Sequence, residues 1–198
     1  MRTTRFAALT VTAVFALAAC GGGDDSGSAA SSPSVSGEAS AGAHNAQDVS
    51  FAQGMIPHHQ QAIEMAELAD GRAASTQVKD LAARVEKAQG PEITTMTGWL
   101  KSWDEKVPES MPGMDHSGMD GMAGMMDSAD MGKLKKASGK DFDSMFLTMM
   151  VEHHEGAVEM ATTEKAKGED KAATAMAGDI VTAQNAEISE MKKLLGEN

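Results

Sequence analysis

Two copies of a Met-x-x-His-His motif lie far apart in the chain, one at Met55 to His59 and one at Met150 to His154. Thioether sulfur is a soft donor that suits Cu(I), and imidazole suits copper and zinc, whereas calcium and magnesium prefer oxygen. A buried methionine is usually core filler, and a single helical histidine is usually structural. Duplication of the whole set favours a metal site. Copper is the first candidate metal, and zinc and iron rank behind it.

Both motifs belong to a longer internal repeat. An offset of 95 residues, without a gap, pairs residues 48–100 with residues 143–195. Repeats at a fixed spacing indicate duplicated structural units. The sequence therefore predicts two similar halves related by a pseudo-two-fold axis, with the two motifs close together. The residues of the first copy that recur in the second are Asp48, Phe51, Met55, His58, His59, Ala62, Glu64, Met65, Ala66, Gln89, Glu92, Ile93, Met96 and Leu100.

Helical spacing indicates which side chains accompany the histidines. Residues three, four or seven positions apart share one face of a helix. Met55 therefore lies above either His58 or His59, and His58 also shares a face with Met65. Adjacent histidines diverge by about 100°. We therefore expect one histidine of each pair to face the interior and the other to face a neighbouring helix, a loop or solvent. The candidate metal ligands are Met55, His58, His59, Met65, Met150, His153, His154 and Met160.

A Met-rich loop at residues 108–128 separates the two copies. Its glycines and prolines disfavour a long helix, and its aspartates keep it soluble. Several flexible thioethers can wrap one Cu(I) ion. The alternative is a disordered linker, but linkers usually prefer Ser, Gly and Pro to oxidation-prone Met, so metal acquisition is favoured. The candidate accessory ligands in this loop are Met111, Met114, His116, Met119, Met122, Met125 and Met126.

Apolar periodicity predicts an all-α fold. Two helical hairpins that cannot each bury an apolar stripe alone should pack as one ferritin-like four-helix bundle. Long helices are expected at about 48–69, 76–103, 141–167 and 170–195, with a short helix at 130–136.

The predicted start and path of the first helix rest on four residues. Asp48 or Ser50 is the expected N-cap, since both side chains can accept a backbone hydrogen bond. Pro57 removes one backbone donor from the helix interior. The second copy has Glu152 at that position, so we expect the first helix to continue through Pro57.

The N-terminal residues are typical of an export signal. Arg2 and Arg5 precede an apolar stretch at 7–19 that is too short to span a bilayer comfortably. Leu-Ala-Ala-Cys, ending at Cys20, resembles a bacterial lipoprotein signal in which the cysteine is lipidated. The predicted organisation is a signal peptide at 1–19, a disordered Gly/Ser tether at 20–46 and a bundle domain at 47–198, containing the loop at 108–128.

Composition excludes several classes of function. Cys20 is the only cysteine, which rules out an intramolecular disulfide and a blue-copper site. The formal net charge of −12 at pH 7 disfavours binding to nucleic acid or to anionic lipid. The chain has no tyrosine, so tyrosyl-radical chemistry has no residue to use. The expected partners are a metal ion, a copper-transfer protein and, through the lipid anchor only, the cell membrane.

The two motifs and their surroundings resemble the bacterial domain-of-unknown-function 305 family. The resemblance rests on M-I-P-H-H-Q-Q-A-I-E-M-A after Phe51 and on F-L-T-M-M-V-E-H-H-E-G-A-V-E-M-A from Phe146, and it covers about residues 48–195. It implies an exported, metal-binding, copper-handling protein with a four-helix, ferritin-like architecture. The positions that this family pattern would carry over as ligands are His58, His59, His153 and His154, with Met55 and Met150.

Three functions follow from these patterns. The favoured one is an extracytoplasmic, lipid-anchored protein that sequesters or delivers copper and is not an enzyme. The second is a ferritin-like metal-dependent oxidase that adds Glu64 and Glu159 to the histidines. No glutamate lies three residues before a histidine in this chain, whereas di-iron bundles use a Glu-x-x-His motif. The third is a structural or interaction bundle whose histidines only pack.

Overall fold

The computed structural model describes residues 43–109 and 122–196. Across these two stretches the chain is helical, and the only strand-like pairing there is an isolated bridge between Ala73 and Gly139. The predicted all-α class is confirmed. The helices are α1 (Ala46–Glu67), α2 (Ala69–Arg72), α3 (Thr76–Ser102), α4 (Ser128–Leu134), α5 (Gly139–Lys167) and α6 (Lys171–Leu195).

Several predicted features lie outside the described residues. They are the signal peptide at 1–19, the lipidation site Cys20, the tether as far as residue 42, and the accessory ligands Met111, Met114, His116 and Met119. Among the helices that the structure does describe, none is long and apolar enough to cross a membrane.

The predicted N-cap of the first helix was wrong. Asn45 is the N-cap, and its side-chain oxygen accepts hydrogen bonds from the backbone N–H groups of Gln47 and Asp48, at 2.7 and 3.2 Å. The Asp48 carboxylate in turn accepts the Asn45 N–H at 2.6 Å. This reciprocal pair is a capping box, so Asp48 occupies the third helical position. Ser50 is the fifth residue of the helix, and its hydroxyl donates to the Ala46 carbonyl.

Helix α1 continues through Pro57, as predicted, and α3 continues through Pro91. Helices α1 and α3 pack as one hairpin, α5 and α6 pack as the other, and α1 lies against α5. The motif-bearing helices are therefore adjacent, which confirms the predicted meeting of the two copies. The closer likeness to ferritin-like four-helix bundles stays a prediction.

Two apolar clusters fill the interior, and each draws on both halves of the repeat. One cluster joins Met65 and Leu81 to Phe146 and Met191. The other joins residues of the first half, such as Phe51 and Leu100, to Ala157 and Ile180 of the second. Since neither hairpin contains a complete cluster, burial of apolar surface holds the halves together.

Each half also binds the backbone that leads into a helix of the other half. Asp48 on α1 accepts the backbone N–H groups of Glu169 and Asp170, at 3.0 to 3.1 Å, where α6 begins. Its repeat equivalent, Asp143 on α5, accepts the N–H groups of Ala74 and Ser75, at 3.1 and 2.9 Å, where α3 begins. The same offset of 95 residues relates Ala74 to Glu169 and Ser75 to Asp170. We call these two sets of bonds the reciprocal aspartate ties.

One of the two ties contains an additional buried acid. The Glu164 side chain is fully buried next to Asp48. Burial, the hydrogen bond to Asp48 and the charge of Asp48 raise the pKa of Glu164 to about 8. Burial by itself raises the pKa of Asp48, but the hydrogen bond from Glu164 and those from three backbone N–H groups outweigh it, so the net direction is downward. The two carboxyl groups therefore share a proton at neutral pH.

Candidate metal centre

A buried polar layer separates the two apolar clusters. Its members lie at the middle of each long helix, between the stretches that feed one cluster and those that feed the other. Within the described residues, the remaining buried polar side chains are those at the Asp48 tie. Buried polar groups are expensive unless they have partners, so this layer is the part of the interior that the hydrophobic effect does not explain. The layer consists of His58, His59, Gln61, Gln89, His153, His154 and Gln184.

His58 and His153 face each other at the centre of this layer, and we call them the inner pair. Their ring centroids are 3.7 Å apart, with 39° between the ring planes. The exposed fractions are 0% for His58 and 1% for His153. The repeat brings these two positions together because α1 and α5 are adjacent and the residues occupy equivalent turns.

No ring nitrogen of the inner pair makes a hydrogen bond of good geometry, and contacts with the Ala123 and His58 backbone only partly oppose the effect of burial on the pKa values of the two rings. Burial, followed by the charge of His59, lowers the pKa of His58 to about 3. Burial and the neighbouring imidazoles also lower the pKa of His153 well below its usual range. Both rings are therefore neutral at physiological pH, and a neutral imidazole has a lone pair available for a metal. The inner pair therefore presents nitrogen lone pairs for metal binding that no well-formed hydrogen bond occupies.

His59 and His154, which we call the outer pair, turn away from the centre toward the second helix of their own hairpins. The His59 Nε2 lies 2.7 Å from the Glu92 Oε2, and the His154 Nε2 lies 2.7 Å from the Glu187 Oε2. Such carboxylate–histidine pairs fix the orientation of the imidazole ring. The predicted divergence of adjacent histidines is confirmed. Sequence reasoning missed both glutamates as partners, although the repeat itself relates Glu92 to Glu187.

The predicted methionines divide between packing and the neighbourhood of the histidines. Met55, Met65 and Met150 are fully buried in the apolar clusters, one or two helical turns from the inner pair. Met160 is partly buried, and its sulfur approaches Gly54 on α1 together with the methyl group of Met122. The described part of the Met-rich loop therefore comes within one helical turn of His58.

Neither Glu64 nor Glu159 supports the oxidase alternative. Glu64 pairs with Lys135, the C-cap of α4, at 2.6 Å, and Glu159 is exposed. Among residues 43–109 and 122–196, no group of three or more His, Cys, Asp or Glu side chains is arranged to hold a metal ion. Apart from thioethers, the donors that remain in the polar layer are the ring nitrogens of the inner pair, the Nδ1 atoms of His59 and His154, and the amide oxygens of Gln89 and Gln184. This set lacks the inward carboxylates of a di-iron bundle.

The family profile described as Domain of unknown function (DUF305) matches residues 48–195. This stretch begins at Asp48 and ends with α6, so it contains the whole repeat. The chain belongs to the DUF305 family, as its motifs indicated. None of the curated proteins matches the chain.

Solved structures of the same family resemble the fold. A DUF305 protein from Streptomyces coelicolor, described as secreted, is 35% identical with a TM-score of 0.68, covering 76% of this chain and 92% of that one. A DUF305 fragment from Deinococcus radiodurans is 28% identical with a TM-score of 0.66, covering 77% and 97%. CopM in its Cu(II)-bound form is 35% identical with a TM-score of 0.65, covering 75% and 95%. CopM has also been solved with Cu(I) and with silver.

Proposed function

We propose that this chain is an extracytoplasmic copper-binding protein that sequesters copper or delivers it to a partner protein. The observation that carries the proposal is the inner pair, two buried neutral imidazoles whose ring centroids are 3.7 Å apart and whose nitrogens make no hydrogen bond of good geometry. Copper-bound forms of CopM, a relative that is 35% identical, support the same metal. Copper is the cargo in this proposal, and no reaction is required of it.

The proposed ligands are the inner pair with nearby thioethers. Met122 and Met160 converge on Gly54, one turn before His58. Neutral imidazole combined with thioether favours Cu(I) over Zn²⁺ and over harder ions. The carboxylates of Glu92 and Glu187 are bound to the outer pair and are not part of the proposed set. The bonds of the outer pair to Glu92 and Glu187 would keep α1 in register with α3, and α5 in register with α6. Met55 and Met150 lie one turn from the inner pair and complete the candidate set.

Metal analysis of the exported domain tests this proposal directly. We expect copper to co-purify or to bind on titration, and Cu(I) to bind more tightly than Zn²⁺ in competition with a chromogenic chelator. A domain that binds neither Cu(I) nor Cu(II) at micromolar concentration would falsify the proposal.

The Met-rich loop is proposed to collect Cu(I) for the inner site. Changing Met111, Met114 and Met119 to Leu removes soft donors but keeps chain length and the described residues. Two or three thioethers suffice to hold one Cu(I) ion, so we expect the Cu(I) stoichiometry to fall by about one per chain. Helix content by circular dichroism should be unchanged. Full Cu(I) uptake by the triple variant would show that this part of the loop is a linker that does not bind copper.

Lipidation of Cys20 is proposed to anchor the domain to the cell membrane. The Cys20→Ala variant removes the thiol that would carry the lipid, so we expect it to stay unprocessed or to be released from the membrane fraction. Fractionation followed by mass measurement of the mature N-terminus checks this. Normal processing and membrane retention of the variant would contradict the anchor, and the copper site would be unaffected by that result.

A further inference from the structure

A short segment at residues 122–126 lies against both motif-bearing helices, and we call it the cover segment. On α1, the Gln61 side chain makes two hydrogen bonds with Met126. Its amide donates to the Met126 carbonyl at 2.8 Å, and its oxygen accepts the Met126 N–H at 2.8 Å. Both bonds are buried, and they satisfy one complete backbone unit of the segment.

On α5, the cover segment makes close backbone contact. A Cβ placed on Gly156 would overlap the carbonyl group of Ala123. A Cβ placed on Gly124 would stand 2.6 Å from the Glu152 carbonyl oxygen and 2.9 Å from that of His153. Gly124 also has a positive φ of 79°, a conformation that glycine adopts without strain. The segment therefore fits here only because both positions lack a side chain.

These contacts account for two of the positions at which the two copies of the repeat differ. The offset of 95 residues relates Gln61 to Gly156, although the motifs on either side of these positions match closely. It also relates Met149 to Gly54, which leaves room for the Met122 methyl group. A single cover segment that contacts both halves has no counterpart across the pseudo-two-fold axis. The equivalent positions must therefore differ, so that one side binds the segment and the other makes space for it.

The cover segment lies beside the inner pair. Gln61 is three residues after His58, and Gly156 is three residues after His153, so each contact shares a helix face with an inner histidine. The Ala123 carbonyl also interacts with the His58 ring, where it opposes the lowering of the pKa by burial. The segment thus closes the polar layer on the side where Met122 enters.

We propose that Gln61 and Gly156 are positioning residues that seat the cover segment over the inner pair, and that release of the segment controls access to these histidines. Seating also places Met122 next to Met160. The control of metal entry and exit rests on the proposed copper function, whereas the seating and its effect on histidine access do not. Opening requires loss of two buried hydrogen bonds at Gln61, and the aliphatic Leu side chain can make neither of them.

The experiment uses the metal-free full-length protein and diethyl pyrocarbonate, which modifies accessible neutral imidazoles. Fragment mass spectrometry assigns the rate to each histidine. In the Gln61→Leu variant we expect His58 and His153 to react roughly tenfold faster or more, which corresponds to the loss of two neutral hydrogen bonds. The outer pair should keep its wild-type rate. Gly156→Ala, which pushes the segment off α5, should give the same pattern.

Gln184→Leu is the matched control, because it removes a buried glutamine of the same polar layer from α6. We expect it to leave the rates of the inner pair unchanged. Equal acceleration of all four histidines, or of the inner pair in the Gln184 variant as well, would mean global loosening and would overturn the proposal. Unchanged inner rates in both Gln61→Leu and Gly156→Ala would overturn it too.

A second measurement separates this inference from the proposed function. Copper-loaded protein is mixed with a Cu(I) chelator, and the transfer rate is followed. We expect Gln61→Leu to transfer copper faster at unchanged stoichiometry. If the inner pair becomes accessible but transfer is no faster, access control of the metal is wrong and seating stands. If the wild type binds no copper, the copper function fails and the modification rates still decide the seating.

Discussion

Replacing the inner pair, as His58→Ala with His153→Ala, is expected to abolish the stabilisation of the protein by copper. A ligand that binds only the folded state at a concentration of 100 times its Kd stabilises by about 2.7 kcal/mol. For a domain of this size, that should raise the Tm of the wild type by roughly 5–10 °C. The inner variant should show no rise, because both of its central imidazoles are gone. Anaerobic thermal melts with and without Cu(I) measure the difference.

The outer variant, His59→Ala with His154→Ala, is the matched control for that experiment. It removes the same number of imidazoles from the same helices, but it breaks the bonds to Glu92 and Glu187. We expect a lower Tm without copper, since buried histidine–carboxylate bonds are lost, together with a clear rise when copper is added. A full copper response in the inner variant, or equal loss in both, would show that the inner pair is not the centre of the site.

Replacing the buried acid at the Asp48 tie should change how stability depends on pH. An unfolded glutamate has a pKa of 4.5, and the pKa of Glu164 in the folded protein is about 8. Between these values the folded state holds a proton that the unfolded state has lost, so the free energy of unfolding falls as pH rises. The stabilising effect of this proton is complete below pH 4.5 and is lost as pH rises through 8. We expect the titration of Glu164 to lower the free energy of unfolding by roughly 2–4 kcal/mol as pH rises from 5 to 8.

The double variant Glu164→Ala with Gly168→Ala tests this expectation because it copies the other half of the molecule. The repeat equivalents of these two positions are Ala69 and Ala73. Urea unfolding at pH 5 and at pH 8 measures how far the free energy of unfolding falls between them. In the double variant we expect this fall to be roughly 2–4 kcal/mol smaller than in the wild type. The inner pair has lowered pKa values and contributes the opposite trend below pH 6.5, but it does so in both proteins. An identical pH profile would show that Glu164 titrates normally.

Gly168→Ala alone is the control that probes packing at the same corner. A Cβ at Gly168 would overlap the Glu164 carboxyl group and stand 2.8 Å from the Asp48 Oδ1. We expect this variant to be less stable than the wild type at every pH, whereas the double variant removes the overlap. The glycine in one half and the alanine in the other thus follow from the acid that only one half contains.

How far the sequence predicts this site depends on whether a feature follows the repeat. The helices, their pairing and the meeting of the two motifs all follow from the offset of 95 residues and from apolar spacing. The divergence of adjacent histidines follows from helix geometry. The sequence did not indicate that His58 rather than His59 would be inner, because both share a helical face with a methionine at suitable spacing.

Of the features that escaped prediction, the N-cap is local, and the position of the cover segment depends on a contact between distant parts of the chain. Asn45 as N-cap was missed because Asp48 was taken as the start of the helix, although Asn followed three residues later by Asp is itself a capping signal. The bond from Gln61 to Met126 joins residues 65 apart, in a loop whose composition suggests no structure. A departure from the repeat inside a well-matched motif, Gln61 against Gly156, was visible in the sequence. The structural reason for this difference became apparent only from the position of the cover segment.

The reciprocal aspartate ties imply something about the origin of the chain. A hairpin taken alone would leave the backbone N–H groups before its second helix without a carboxylate partner, and the aspartate of its first helix without these donors. A second copy of the same hairpin, rotated by half a turn, would satisfy both, which is the arrangement of an isologous homodimer. The protein therefore has the organisation of two identical subunits fused end to end. Once they were joined, the halves were free to differ, and the differences at Gln61, Gly54 and Glu164 are those that a symmetric dimer could not have held.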